Sequence, residues 1–169
     1  MEILLRPWRE TDIPALARLA DDEGVAADLR DVFPHPYTEQ DARAFLSLCM
    51  AADPADALFC AAEVDGQLAG SVSLARGTDV CRKSAELGYW FGRAFWGRGI
   101  ATEAVRQMCQ AGFAAWDIVR IWAEPFARNR ASCRVLEKNG FACEGVKRLG
   151  VVKNGVLQDS KLYALVKTQ

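Results

Sequence analysis

The sequence has a single histidine, and its six cysteines contain no C-x-x-C pair. Zinc sites use ligands paired at short spacing, so we expect no metal site. We also expect no disulfides, because 51% hydrophobic residues supply a sufficient core in a reducing compartment. Most cysteines are interpreted as core or surface thiols, and only Cys133 lies next to a motif described below.

An excess of charge of either sign is also missing. The formal net charge is −1, which predicts no general attraction to nucleic acid or to membrane surfaces. The longest runs without charge, 66–75 and 107–116, have ten residues each and are too short to span a bilayer. The first six residues do not resemble a signal peptide. We therefore expect a cytoplasmic protein with neither nucleic-acid nor membrane partners.

Linkers, internal repeats and low-complexity tracts are absent, so 169 residues predict one domain, 1–169. Hairpins are indicated by Asp65-Gly66 and Asn154-Gly155. Thr11 and Thr38 are predicted helix caps, and 23–36 is irregular or a short helix. The predicted strands are 2–6, 58–64, 67–76, 84–91, 119–124, 141–153 and 156–166, and the predicted helices are 12–22, 39–51, 100–115 and 130–139. Such alternation predicts an α+β fold with a mixed sheet.

A glycine-containing loop, W-G-R-G-I-A-T-E at 96–103, lies between a predicted strand and a predicted helix. The free N–H groups at a helix start, together with the helix dipole, favour phosphate or pyrophosphate. The loop lacks the Gly-Lys-Ser/Thr of a P-loop, and Thr102 stands where a dinucleotide fingerprint needs its third glycine. A tight turn that binds nothing is the structural alternative.

A second cluster contains N-R-A-S at 129–132 and V-L-E-K-N-G-F at 135–141. With E-L-G-Y-W-F at 86–91 and W-G-R-G-I-A-T-E-A at 96–104, it resembles the GCN5-related N-acetyltransferase (GNAT) superfamily. The RimJ/RimL-type branch, which contains ribosomal-protein N-terminal acetyltransferases, is the most similar in motif. One departure is Trp96, because the superfamily usually has Gln or Arg there.

The resemblance implies a GNAT fold, with a single mixed, mostly antiparallel sheet, helices on both faces and splayed strands at 84–91 and 119–124. Acetyl-CoA would lie in the gap between these strands. Its pantetheine arm would pair with the backbone of Trp90 and Phe91 and contact Asn129 and Ser132. The pyrophosphate would accept hydrogen bonds from the N–H groups of the loop, which are those of Gly97, Arg98, Gly99, Ile100, Ala101 and Thr102.

The implied reaction is acetyl transfer to a primary amine by direct attack in a ternary complex. Glu86 is the predicted base, acting through water, because an amine with a pKa near 10 must lose a proton. Glu124, Tyr163 and a water chain from bulk solvent are the alternatives to Glu86 as base, and Ser132 would donate to the departing sulfur. The acceptor is a protein N-terminus or a small-molecule amine, and the protein is a monomer or a homodimer. A catalytically inactive acetyl-CoA-binding sensor or regulatory module is the alternative function.

Two further expectations concern the surroundings of this site. The run 21–31 carries five acids against Arg30, a charge pattern that would attract a cationic amine, although a solvated acidic loop is equally compatible. Tyr89 and Phe95 are interpreted as core residues. His35 lies in a predicted loop and either faces solvent or borders the acceptor pocket.

Overall fold

One seven-stranded sheet organises the protein in a computed structural model that describes residues 1–167. The strand order is β1-β2-β3-β4-β5-β7-β6. The strands are β1 (Ile3–Pro7), β2 (Ala57–Val64), β3 (Gln67–Arg76), β4 (Ser84–Phe91), β5 (Arg120–Ala123), β6 (Ala142–Lys153) and β7 (Val156–Val166). The α-helices are α1 (Ile13–Ala20), α2 (Glu23–Ala26), α3 (Glu39–Ala51), α4 (Ile100–Ala115) and α5 (Arg130–Lys138).

The sheet is mixed and mostly antiparallel, as predicted, since only β4 and β5 run parallel to each other. The turn at Asp65-Gly66 joins β2 to β3, and the turn at Asn154-Gly155 joins β6 to β7. All four turn residues have positive φ, between 46° and 81°. Positive φ at both turn residues matches the right-handed twist of the strands in a two-residue hairpin. Asp-Gly and Asn-Gly are the dipeptides that such turns prefer, and this is why they predicted both hairpins.

Helices cover both faces of the sheet. On one face, buried residues of α4 and α5, such as Met108 and Leu136, share a core with Leu74 and Ile121 of the strands. On the other face, α1 and α3 pack around Leu16 and Leu46. No helix within residues 1–167 combines the length and the apolar character needed to cross a membrane.

The first helix starts within one residue of the predicted position, but its predicted cap, Thr11, is wrong. Thr11 lies inside a 3-10 turn, Glu10–Asp12, and α1 starts at Ile13. Asp12 displaces Thr11 because its carboxylate accepts the Arg9 N–H at 2.9 Å and pairs with the buried Arg6 guanidinium at 2.8 Å. The capping box at Thr38 is confirmed. Most other element boundaries agree with the predicted ones within about two residues.

We predict that Asp12→Ala destabilises the fold by about 3 kcal/mol, because it leaves the Arg6 charge buried with only Glu63 as a partner. Burial would raise the pKa of Asp12, but the hydrogen bonds from Arg6 and from the Arg9 N–H, together with the positive charges of both arginines, outweigh it and lower the pKa. The ion pair therefore stabilises the fold at neutral pH, and the stabilisation is lost as acidification protonates Asp12. Denaturant unfolding at pH 7 measures the effect.

The exposed pair between Lys83 and Asp117 provides the matched control. Asp117→Ala should leave the free energy of unfolding close to the wild-type value, since exposed ion pairs contribute little. Equal losses for Asp12→Ala and Asp117→Ala would contradict the assignment of a buried, stabilising pair at Asp12.

Candidate active site

A gap opens in the middle of the sheet. Strand β4 pairs with β3 along its whole length, but it pairs with β5 at only three positions, from Ser84 with Arg120 to Glu86 with Trp122. Beyond Glu86, the β5 side of β4 therefore has no neighbouring strand. This is the splay that the family resemblance implied.

The direction of the free backbone groups follows from the register. Bonded and non-bonded pairs alternate along antiparallel strands, and the Gly92 N–H donates to the Ala69 carbonyl of the β3 side at 2.9 Å. In the same register, the even-numbered residues of β4 hydrogen-bond to β3. The odd-numbered residues beyond the β5 pairing, Tyr89 and Phe91, consequently direct their N–H and C=O groups toward the gap, as does the carbonyl of Leu87.

This geometry changes one of the two predicted backbone contacts. Phe91 faces the gap, as a ligand-binding strand edge requires, although its carbonyl accepts from the Trp96 indole at 2.7 Å. Trp90 does not face the gap, because its backbone is paired with Ser71 of β3. Tyr89 takes its place, and strand alternation counted back from Phe91 was the sequence signal that could have identified it.

The loop after β4 has the properties of an anion site. Within residues 1–167, no acceptor pairs with the backbone N–H groups of residues 97–102, and the first helical bond runs from Glu103 to Gly99 at 3.1 Å. Gly97 and Gly99 adopt left-handed φ values of 71° and 77°, which glycine tolerates best. A Cβ at either position would have no atom within 4 Å, so open space lies beside the loop.

Trp96, the departure from the superfamily pattern, anchors this loop. Its indole N–H donates to the Phe91 carbonyl, which ties the loop to the end of β4. The Arg98 guanidinium lies 6.0 Å from the centre of the Phe95 ring and adds positive charge beside the free N–H groups. The side chain at position 96 thus has a structural role in holding the turn.

Asn129 and Ser132 meet at the start of α5. Asn129 is the N-cap, and its Oδ1 accepts the Ser132 N–H at 3.1 Å. The Ser132 Oγ lies 2.7 Å from the Tyr89 hydroxyl. Tyr89 was interpreted as a core residue, and it does pack against the core, but its hydroxyl reaches the predicted catalytic serine.

Glu86 lies on the other face of the sheet. Side chains alternate along a strand, so Glu86 shares a face with Gly88 and Trp90, whereas Tyr89 points to the α5 face. Gly88 is exposed, and Phe33 packs edge-on against Trp90 with ring centres 5.3 Å apart. Glu86 and Trp90 therefore flank an exposed strip of the sheet centred on Gly88, which we call the slot and whose ends lie roughly 13 Å apart at 3.3 Å per residue.

The two alternative bases are engaged elsewhere. Glu124 accepts from Lys147 at 2.8 Å and from Ser160 at 2.7 Å. Burial would raise the pKa of Glu124, but these hydrogen bonds prevail and lower it, which makes it a weaker base. Tyr163 is buried, donates to Glu137 at 3.1 Å, and has its pKa raised by burial first and by neighbouring groups.

The acidic run 21–31, which we call the acidic strap, is partly neutralised by the fold. Three of its five acids have cationic partners within 4 Å, namely Asp22 with Arg93, Asp28 with Arg128 and Asp31 with Lys153, and Asp21 lies beside the His35 imidazole. The sequence pattern counted only Arg30 against these acids. Local neutralisation weakens the expected long-range attraction of a cationic amine.

The strap also bridges the two sides of the gap. Arg93 follows the end of β4 and binds Asp22 through two nitrogens, at 2.7 and 3.0 Å, which lowers the pKa of Asp22 to about 2. Arg128 precedes α5 and contacts Asp28 at 3.0 Å and the Ala27 carbonyl at 2.7 Å. A cavity of about 500 Å³ lies beside Arg128 and the tip of the β6–β7 hairpin.

The cysteines form no disulfides. All six are free, and burial raises the pKa of Cys109 to about 12. In the part of the chain that the structure describes, no three His, Cys, Asp or Glu residues are grouped so as to hold a metal ion.

The gap between β4 and β5 and the glycine-containing loop beside it are the features that the GNAT resemblance predicted. A family model described as "Acetyltransferase (GNAT) domain" matches residues 2–142. This range contains β1 to β5, the loop, and both helices that border the gap. The chain belongs to the GNAT acetyltransferase domain family.

Individual relatives agree with this assignment. A Bacillus subtilis (strain 168) protein named "Probable N-acetyltransferase YjcK" is 40% identical over 102 residues, which are 60% of this chain and 56% of that protein. The chain thus matches little more than half the length of this curated relative.

Solved structures share the fold over nearly the whole chain. Mycobacterium smegmatis RimJ, in complex with CoA-disulfide, superimposes with a TM-score of 0.85 at 27% identity, covering 97% of this chain and 81% of that one. RimL, described as a ribosomal L7/L12 alpha-N-protein acetyltransferase in complex with coenzyme A, gives a TM-score of 0.87 at 23% identity, covering 98% and 94%.

We predict that Gly99→Ala weakens the binding of coenzyme A at least about tenfold, or 1.4 kcal/mol. The added Cβ strains the left-handed turn and occupies space beside the free N–H groups. Isothermal titration calorimetry with coenzyme A measures the effect.

Gly66→Ala is the matched control, because Gly66 has a φ of 81° and a Cβ there also meets no atom within 4 Å. Both variants should lose a similar amount of stability, on the order of 1 kcal/mol. If Gly99→Ala binds coenzyme A as tightly as Gly66→Ala does, the loop is only a structural turn.

Proposed function

We propose that this protein is an acetyl-CoA-dependent N-acetyltransferase that transfers an acetyl group to a primary amine by direct attack in a ternary complex. The observation that carries this proposal is the free edge of β4, which leads directly into the unpaired N–H groups of residues 97–102. An amide-bearing arm pairs with a free strand edge, and a pyrophosphate binds a helix start. One extended ligand with both parts therefore fits.

Different residues around the gap would bind the pantetheine arm and the pyrophosphate of acetyl-CoA. The backbone groups of Tyr89 and Phe91 would hold the pantetheine arm, and Asn129 lies at the start of α5 beside them. The N–H groups of Gly97, Arg98, Gly99, Ile100, Ala101 and Thr102 would hold the pyrophosphate. Acetyl-CoA would supply the activated acetyl thioester, and no metal is required in this proposal.

One face of the sheet would carry the base for the amine, and the other would carry the hydrogen-bond donor for the departing sulfur. The amine nitrogen forms a bond to the acetyl carbon, the carbon–sulfur bond breaks, and its electron pair stays on sulfur. Glu86, on the slot face, accepts the amine proton through water, while Ser132, on the α5 face, donates a hydrogen bond to the sulfur. The second proton lost by the nitrogen goes to solvent and the thiolate takes up one proton, so the products are an N-acetylated amine and coenzyme A.

The relatives favour a protein N-terminus as the acceptor. The description of RimL states that it acetylates the α-amino group of a ribosomal protein, and we extend an N-terminal amine to this chain as part of the proposal. The open slot over Gly88 is compatible with an extended N-terminal segment. A small-molecule amine is the alternative acceptor.

The test is release of coenzyme A in the presence of acetyl-CoA and a panel of N-terminal peptides and small amines. Turnover with any of them supports the proposal, and the preferred amine identifies the acceptor class. Tight binding of acetyl-CoA with no turnover across the panel would instead identify an inactive sensor or regulatory module. Absence of acetyl-CoA binding would overturn both functions.

We predict that Glu86→Gln lowers kcat most at pH 6 to 7 and that the rate recovers as pH rises toward 10. A larger fraction of the amine is then already deprotonated and needs less help from a base. The pH dependence of kcat measures this. Glu124→Gln is the control and should keep the wild-type profile, because Lys147 and Ser160 already engage that carboxylate. A wild-type profile for Glu86→Gln would exclude Glu86 as the base.

We predict that Gly88→Val raises KM for the acceptor about tenfold and leaves KM for acetyl-CoA unchanged, because its side chain fills the slot floor. The first added atom meets only the Ser73 hydroxyl, at 3.2 Å, a flexible group that can move. Gly145→Val in β6 is the control, since a Cβ there meets no atom within 4 Å. Equal acceptor KM values in both variants would show that the acceptor does not use the slot.

A further inference from the structure

Tyr89 belongs to the site through both its backbone and its side chain. Its N–H and C=O face the gap, and its side chain points to the α5 face. There the phenol oxygen lies 2.7 Å from Ser132 Oγ and 3.3 Å from the Ser132 carbonyl oxygen. These contacts connect the strand edge to the hydroxyl that we propose for the leaving sulfur.

The hydrogen-bond inventory of the two hydroxyls allows two arrangements, because each group has one hydrogen. If Ser132 donates to Tyr89, the serine hydrogen is used internally and the phenol donates to the Ser132 carbonyl. If Tyr89 donates to Ser132 Oγ, the serine hydrogen is free for another acceptor. An anionic sulfur favours the second arrangement, since consecutive hydrogen bonds polarise one another.

The surroundings keep the phenol a donor. Burial raises the pKa of Tyr89 above its usual range, although the Ser132 hydrogen bond lowers it in part. The other titratable groups close to it are the thiols of Cys109 and Cys133, and both cysteines are buried. The phenol therefore stays protonated across neutral pH and can position Ser132 without acting as a base.

We infer that Tyr89 is a positioning residue that orients the Ser132 hydroxyl as a hydrogen-bond donor to the sulfur of coenzyme A. The inference rests on the proposed function. Tyr89 itself transfers no proton and does not contact the sulfur. It holds Ser132 Oγ in place and directs the serine hydrogen away from the protein and into the gap.

A binding experiment tests this without turnover. Isothermal titration calorimetry compares coenzyme A with desulfo-coenzyme A, which lacks the sulfur, from pH 7 to pH 9.5. A donor at the sulfur stabilises the thiolate, so wild-type affinity for coenzyme A should rise about tenfold relative to desulfo-coenzyme A as the thiol ionises. Tyr89→Phe and Ser132→Ala should both lose most of this rise while binding desulfo-coenzyme A normally.

Tyr163→Phe is the matched control, because Tyr163 is a buried tyrosine whose hydroxyl bonds to Glu137 of the same helix, α5. It should keep the pH-dependent rise. If Tyr89→Phe also keeps it, or if Tyr163→Phe loses it equally, Tyr89 has only a packing role and the inference is wrong.

Kinetics provide the second measurement. Tyr89→Phe should lower kcat about tenfold with KM for acetyl-CoA unchanged. In the Ser132→Ala background it should lower kcat no further, because two residues that act as a unit are not additive. Additive losses would contradict the inference while leaving the proposed function intact.

Wild-type protein that turns over no amine would overturn the proposed function, and the calorimetric comparison would still decide the role of Tyr89.

Discussion

The early separation of β5 from β4 is the constraint on which the site depends. After Ala123 the chain reaches Pro125, which has no N–H to donate to a neighbouring strand. It then follows β7 and not β4, as shown by the Lys161 N–H donating to the Pro125 carbonyl at 3.0 Å and by the bridge between Phe126 and Ser160. Strand β4 is left with an unpaired edge that a ligand can complete.

The acidic strap is the second element that spans this opening. Its Asp22 pairs with Arg93, which follows β4, and its Asp28 pairs with Arg128, which precedes α5. Ion pairs therefore connect the strap to both sides of the gap. Such pairs contribute little individually when exposed. Together they connect the residue after β4 to the residue before α5 through one segment of the chain.

Local patterns predicted most of the elements, because hairpin dipeptides, the capping box at Thr38 and the helical period of 100–115 act through neighbours in sequence. The loop glycines and the Asn129 cap were also accessible in this way. Contacts between segments that are distant in sequence could not be predicted from such local patterns. The pairing of Asp12 with Arg6, the register that turns Trp90 toward β3, and the partners of the strap all require the folded sheet, so Thr11, Trp90 and the acidic charge were interpreted incompletely.

The strand order has a consequence for how the protein is made on the ribosome. Strand β5 lies between β4, to which it is joined at three positions, and β7, which is synthesised later as Val156–Val166. Until β7 emerges, β5 has no second neighbour and the gap has no fixed far side. The far side of the gap therefore cannot be completed before β7 has been synthesised.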